Sequence, residues 1–268
     1  MRIRAGYDIS IEFPAPTPVV LMLDIRPERE TDLVTPQRAY FEPQVPAQRY
    51  VDGFGNRCTR LLAPAGVMRT WAEFTVSDSG RHERQAVDAW QTPVQELPPD
   101  VLVFLLGSRY CETDLMSGLA WSLFGHTPMG GARVQAIVDY VHNHLKFNYG
   151  LARNTRSAYD AWNERVGVCR DFAHLAVTLC RCMNIPARYC TGYLGDIGVP
   201  QLPDPMDFSA WFEVWLDGGW YTFDARHNEP RIGRIVIARG RDASDVAIST
   251  SFGPHMLRNF SVTTYEEF

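Results

Sequence analysis

The sequence holds a single lysine. Of its 26 basic residues, 25 are arginine, and Lys146 stands alone among 268 residues. A catalytic amine therefore has almost no candidate. Arginine-rich coding accounts for the count, because both cations serve as solvated surface charge. A second reading is avoidance of lysine amines. Also missing is any run of 18 apolar residues, so no helix is expected to span a membrane. Residues 1–10 lack the apolar core and small-residue cleavage site of a signal peptide. No GxxxxGK[ST], GxGxxG or HExxH pattern occurs, which leaves nucleotide and zincin readings without support. The six cysteines (Cys58, Cys111, Cys169, Cys180, Cys182 and Cys190) include no CxxC pair. They are expected free, in a reducing cytoplasmic compartment. Cys180 and Cys182 point apart on one expected helix, which does not suit zinc, so no metal site is expected.

Hydrophobic residues make up 46% of the chain and charged residues 21%. That balance excludes wholesale disorder and allows one large domain or two modest ones. The net charge of −5 argues against a nucleic-acid or anionic-membrane partner.

Residues 1–85 read as β structure. Short apolar stretches are punctuated by Pro14, Pro16 and Pro18 and by turns at Asp52-Gly53 and Gly55-Asn56, which suggests an antiparallel sandwich. A polar stretch ending in Leu97-Pro98-Pro99-Asp100 marks a linker over 86–100, leaving 101–268 as a second domain. There, Val134, Ile137, Val138, Val141 and Leu145 recur at helical spacing. A second helix is predicted from Cys169 to Met183, with Phe172, Leu175, Ala176 and Leu179 on one face, stopped by Asn184-Ile185-Pro186. Arg188–Leu194 reads as a strand. Phe208–Leu216 and Trp220–Asp224 read as a hairpin joined through Asp217-Gly218-Gly219.

The chemistry concentrates in Gly167-Val168-Cys169-Arg170-Asp171-Phe172-Ala173-His174. A cysteine at a helix start meets unpaired N–H groups and the positive end of the helix dipole. Both favour a thiolate, and the same amides can hold an oxyanion. A buried structural cysteine is the plainer alternative.

The stretch Asn163–Leu175 closely resembles the nucleophile motif of the transglutaminase-like superfamily. Ile185-Pro186-Ala187-Arg188-Tyr189, Thr191-Gly192-Tyr193, Ala210–Leu216 and Gly219–Asp224 resemble its following segments, in order, over roughly residues 100 to 250. The turn Asp52–Asn56 is similar to the β-rich domain that often precedes bacterial members. The resemblance implies an α+β architecture: an N-terminal antiparallel β-sandwich, then a papain-like core with a catalytic helix on an antiparallel sheet. It implies Cys169 as nucleophile and Asp224 as the residue that orients an imidazole. The family's histidine stands directly before Ala-Trp, and here that position is Ser209. A serine hydroxyl does not take a thiol proton near neutral pH.

Three readings follow. In the first, another histidine substitutes. His174 lies about 140° around the helix from Cys169 and is expected to pack. His227 falls on the far face of a regular strand, and serves only if the chain bends after Asp224, which Asn228-Glu229-Pro230 allows. A Gly218-Gly219 loop would pair Glu213 with Asp224 and leave Ser209 on Asp224's face but offset along the strand. In the second reading the protein is catalytically degenerate and binds a peptide or protein through its cleft. In the third, Ser209 or water with Asp224 runs altered chemistry. The favoured expectation is a cysteine hydrolase or acyltransferase acting on peptide or protein amides through a Cys169 thioester. Asp224 and His227 complete its triad, Trp162 and Trp211 border its substrate cleft, and it carries no cofactor or metal. No calcium loop is visible, and nothing in the sequence sets an oligomeric state. The altered triad and absent calcium loop point away from lysine crosslinking, so lysine scarcity is not read as self-protection.

Overall fold

The computed structural model describes residues 1–86, 88–201 and 206–268. In chain order the strands of the first part are β1 (Arg2–Phe13), β2 (Thr17–Leu21), β3 (Tyr40–Glu42), β4 (Ala47–Val51), β5 (Arg57–Ala63) and β6 (Gly66–Ser77). Then come α1 (Thr113–Phe124), α2 (Gly131–His144), β7 (Lys146–Phe147), α3 (Ala158–Glu164), β8 (Val166–Gly167) and α4 (Cys169–Cys182). The chain continues with β9 (Ala187–Tyr193), β10 (Ser209–Leu216), β11 (Gly219–Phe223), β12 (Ile235–Gly240), β13 (Ser249–Ser251) and β14 (Met256–Glu267).

Alternation in β1 turns Ile3, Ala5, Tyr7, Ile9, Ile11 and Phe13 inward. Two antiparallel sheets, ordered β14-β1-β6-β3 and β13-β2-β5-β4, form the expected sandwich, and their inner residues share one core. That core continues through Tyr193, Ile235 and Ile237 of the third sheet, ordered β11-β10-β9-β12. A second core lies between this sheet and the helices. It joins Phe212, Val214 and Leu216 to Leu175 and Leu179, and to Val134, Ile137, Val138 and Val141 of α2. The helix α4 is buried from Asp171 to Cys182, because α1, α2 and α3 surround it while it lies on β10. A single apolar face was expected there.

Three differences from the sequence reading matter. First, β13 and β14, assigned by sequence to the second domain, lie in the sandwich: β14 pairs with β1 from Arg2↔Glu267 to Glu12↔Met256. Periodicity is local and carries no signal for such distant pairing. Second, α1 and α3 fall outside the expected elements. Third, the β10–β11 turn sits on Asp217-Gly218, both at positive φ (48° and 73°), with Leu216↔Gly219 the closing pair. A two-residue turn of this hand needs left-handed conformations at both positions, which Asp-Gly supplies. The register moves by two residues from the expected one, so the faces are preserved.

Beside the shared core, a buried side chain helps dock the sandwich onto the third sheet. Asn56, fully buried, accepts from the Arg239 N–H (2.8 Å) and donates to the Arg239 carbonyl (2.8 Å). Its position is set by Asp52, whose carboxylate accepts from the Asn56 backbone and side-chain amides (2.8 and 2.9 Å). Among the described residues no helix is long and apolar enough to cross a membrane.

Candidate active site

The start of α4 is built by its predecessors. The β7–β8 pairing delivers the chain to Val168, an extended residue whose N–H donates to the Asp171 carboxylate (3.0 Å). Asp171 is fully buried and also accepts from the Arg156 guanidinium (3.1 Å). This carboxylate caps the helix from inside. Gly167 permits it, since a Cβ there would stand 2.6 Å from the Asp171 Cβ.

Cys169 is the first residue of the helix and is partly exposed. Burial pushes its thiol up to about 11, and the carboxylates of Asp207 and Asp224 add to the shift. The Arg226 guanidinium and the Ala210 N–H oppose it. At neutral pH the group is a thiol, so desolvation outweighs the depression expected of a helix N-terminus.

Asp224 follows directly on β11. Continuing the β10–β11 register by one residue places it opposite Trp211, two residues from Ser209 on the same face. The strand ends there. A turn closed by the Asn228 N–H on the Asp224 carbonyl (2.9 Å), with Asn228 at φ 52°, folds the chain back. The bend begins earlier than Asn228-Glu229-Pro230 suggested, and it brings His227 onto Asp224. His227 Nδ1 donates to Asp224 Oδ2 at 2.8 Å, while Oδ1 accepts from the backbone N–H groups of Arg226 (2.9 Å) and His227 (3.1 Å). From behind, Arg234 donates to Oδ2 at 2.8 Å. Burial alone would raise the Asp224 carboxyl. The Arg234 charge, then the His227 hydrogen bond, hold it far below the usual carboxylate range instead. The ionised carboxylate fixes the His227 tautomer with Nε2 as acceptor, and among the described residues Nε2 has no hydrogen-bond partner.

Ser209 occupies the start of β10 and is 7% exposed. Its hydroxyl has no hydrogen-bond partner among the described residues. Ser209 and His227 line one cavity of about 50 Å³, together with Tyr149, Asp207 and Arg226. The imidazole thus reaches the Ser209 neighbourhood from the turn after β11.

The two tryptophans expected at the cleft, like Cys169, are not among the residues lining the Ser209–His227 cavity. Trp211 is buried with Cys190 and Val236 under the Arg234 guanidinium, 4.9 Å from its ring centroid, and does not line the Ser209–His227 cavity. Its strand face brings it to the Asp224–Arg234 pair. Trp162 donates from Nε1 to the Tyr140 hydroxyl (2.9 Å) and stacks on His144, joining α3 to α2. His174 is structural, as its place on the helix implied. It is fully buried, stacked on Tyr110, and its Nε2 accepts from the Ala243 N–H (3.1 Å). Sequence reasoning missed Arg226 and Arg234. Arg234 is 8% exposed and ion-paired to Asp224. Among the described residues no group of three His, Cys, Asp or Glu side chains is placed to hold a metal.

An antiparallel sandwich joined to a papain-like core, with a cysteine opening the central helix, defines the class of fold. The transglutaminase-like superfamily pattern matches residues 120–225. The crystal structure of a candidate cysteine protease from Cytophaga hutchinsonii is similar over 100% of this chain and 92% of that one, at 31% identity and TM-score 0.84. An uncharacterised protein of Mycobacterium leprae is 35% identical over 118 residues, which is 42% of each chain. One from Mycobacterium tuberculosis is 34% identical over 91 residues, 31% of this chain and 29% of that one. The matched stretch spans less than half the length of these mycobacterial relatives. The chain belongs to the transglutaminase-like superfamily.

Proposed function

We propose that the protein is a cysteine hydrolase or acyltransferase that attacks amide bonds of peptide or protein substrates through a Cys169 thioester. The observation that carries this reading is the 2.8 Å hydrogen bond from His227 Nδ1 to Asp224 Oδ2, in a cavity His227 shares with Ser209. His227 Nε2 takes the thiol proton as the sulfur bonds to the carbonyl carbon. The amides opening α4 hold the oxyanion. Collapse breaks the C–N bond, and the leaving amine takes the proton from His227. Water, or an acceptor amine, then gives its proton to His227 and attacks the thioester, and as the C–S bond breaks His227 returns the proton to the Cys169 sulfur. A thiol pushed up to about 11 suits this order, in which the proton leaves during attack and no resting ion pair is needed. The free cysteines support a cytoplasmic setting.

The test is hydrolysis of fluorescent casein, read beside the pH profile of Cys169 alkylation. Cys169→Ala is expected to abolish turnover and His227→Ala to lower it by about 10²–10⁴-fold. His227→Ala is also expected to slow alkylation near neutral pH. The high thiol pKa and Ser209 also favour a second reading, a cleft that binds without turnover. Alkylation at the rate of an ordinary buried thiol, unchanged by His227→Ala, together with no hydrolysis, decides for that one.

A further inference from the structure

Arg226 lies between Asp224 and His227 in sequence, and its guanidinium lines the cavity that holds Ser209 and His227. It is held from three sides. Its backbone N–H donates to Asp224, its carbonyl lies 3.0 Å from His142 Nδ1, and its guanidinium stacks over Phe147 at 3.9 Å. Yet no carboxylate among the described residues forms an ion pair with it. The contrast with its neighbours is sharp. Arg231, which lines the same cavity, is engaged by Asp196 (3.3 Å) and the Gly195 carbonyl (3.0 Å), and Arg234 by Asp224. A fixed, partly buried guanidinium with the Tyr149 hydroxyl beside it and no carboxylate in ion-pair range among the described residues can receive a planar oxyanion, and its fork of donors matches a carboxylate. Two carboxylates line the cavity: Asp196, paired with Arg231, and Asp207, which acts on Arg226 from beyond ion-pair distance and whose carboxyl burial pushes up.

We propose that Arg226 binds a carboxylate of the substrate close to the scissile carbonyl, so that the cleft selects acidic peptides or amides bearing a free carboxylate. This rests on the reading of Cys169 as the reacting group, but its test is separable. Cys169 is alkylated in parallel with iodoacetate, which is anionic, and iodoacetamide, its neutral counterpart. Relative to free cysteine, the iodoacetate-to-iodoacetamide rate ratio is expected to rise at least tenfold. Arg226→Gln returns it to the free-cysteine value, Arg226→Lys keeps part of it, and Asp207→Asn raises it. His227→Ala slows both reagents and leaves the ratio alone, so loss of the catalytic reading does not mimic loss of this one. A binding measurement covers an unreactive sulfur. Cys169→Ala protein titrated with glutarate and with glutaramide is expected to prefer glutarate at least tenfold, and to lose that preference when Arg226→Gln is added. Equal binding of the two probes, no binding of either, or a preference that survives Arg226→Gln overturns the proposal.

Discussion

His174 shows how a histidine inside the nucleophile helix can be excluded from chemistry by its surroundings. Burial holds its pKa well below the ordinary imidazole value, with Arg170 and Arg181 opposing protonation and Asp242 favouring it. The unfolded imidazole takes a proton as pH falls through about 6.5, while the folded one does not. The unfolded state therefore binds more protons below that pH. The stability is fully present above about 6.5 and is lost on acidification, at up to about 1.4 kcal/mol per pH unit. Between pH 7 and pH 5 the native protein is expected to lose about 2 kcal/mol more than His174→Gln, read from urea unfolding at each pH. Equal slopes for the two proteins would show that His174 is not the group responsible. The sequence separated His174 from His227 on helical periodicity and strand parity alone. It could not place His227 on Asp224, because that depends on a turn whose left-handed residue is Asn228. Strand parity likewise gives the face on which Trp211 lies but not which neighbours, here Arg234, cover it.

At the scale of elements, the legible pieces were those with one strong local signal. The segment Phe208–Leu216 gave β10, Asp217-Gly218-Gly219 gave its hairpin though not its register, and Asn184-Ile185-Pro186 gave the end of α4. The helix α1 was invisible because its apolar residues occupy both faces. Met116, Ala120 and Phe124 are buried, while Leu115 and Trp121 are 56% and 48% exposed. The motif glycine before Cys169 gains a physical meaning only in three dimensions. Its missing Cβ is the space that Asp171 fills, and Asp171 is locked by Arg156 and by the Val168 N–H. Gly167→Ala must displace that carboxylate or the helix start. The expected cost is about 1–3 kcal/mol in urea unfolding, typical of overpacking a filled site, with slower Cys169 alkylation. A variant as stable as the parent would mean that the cap yields, and that Asp171 does not position Cys169.

Across the whole molecule, the sandwich and the papain-like core are physically continuous. The chain's first and last strands pair along their lengths, and the hydrophobic core of the sandwich runs into β9 and β12. The polar counterpart of that continuity is the Asn56 side chain. Its amide reproduces one rung of a β-ladder against Arg239, while Arg239 in turn holds Glu213 on β10 (2.9 Å). An element of the sandwich thus reaches the sheet that carries Ser209 through two residues. Asn56→Ala leaves the Arg239 N–H and carbonyl without partners in a site closed to water, and an unsatisfied buried group costs about 1–3 kcal/mol. The expected loss is about 2–3 kcal/mol in urea unfolding, in a single transition shared by both halves, because the halves share a core. Asn56→Asp keeps an acceptor for the Arg239 N–H but sets a buried carboxylate against Asp52 and the Arg239 carbonyl, so it should cost at least as much as Asn56→Ala. Two separated transitions in Asn56→Ala would instead make this side chain the coupling element between sandwich and core. A change below about 0.5 kcal/mol would mean that Asn56 does not hold the sandwich on the third sheet.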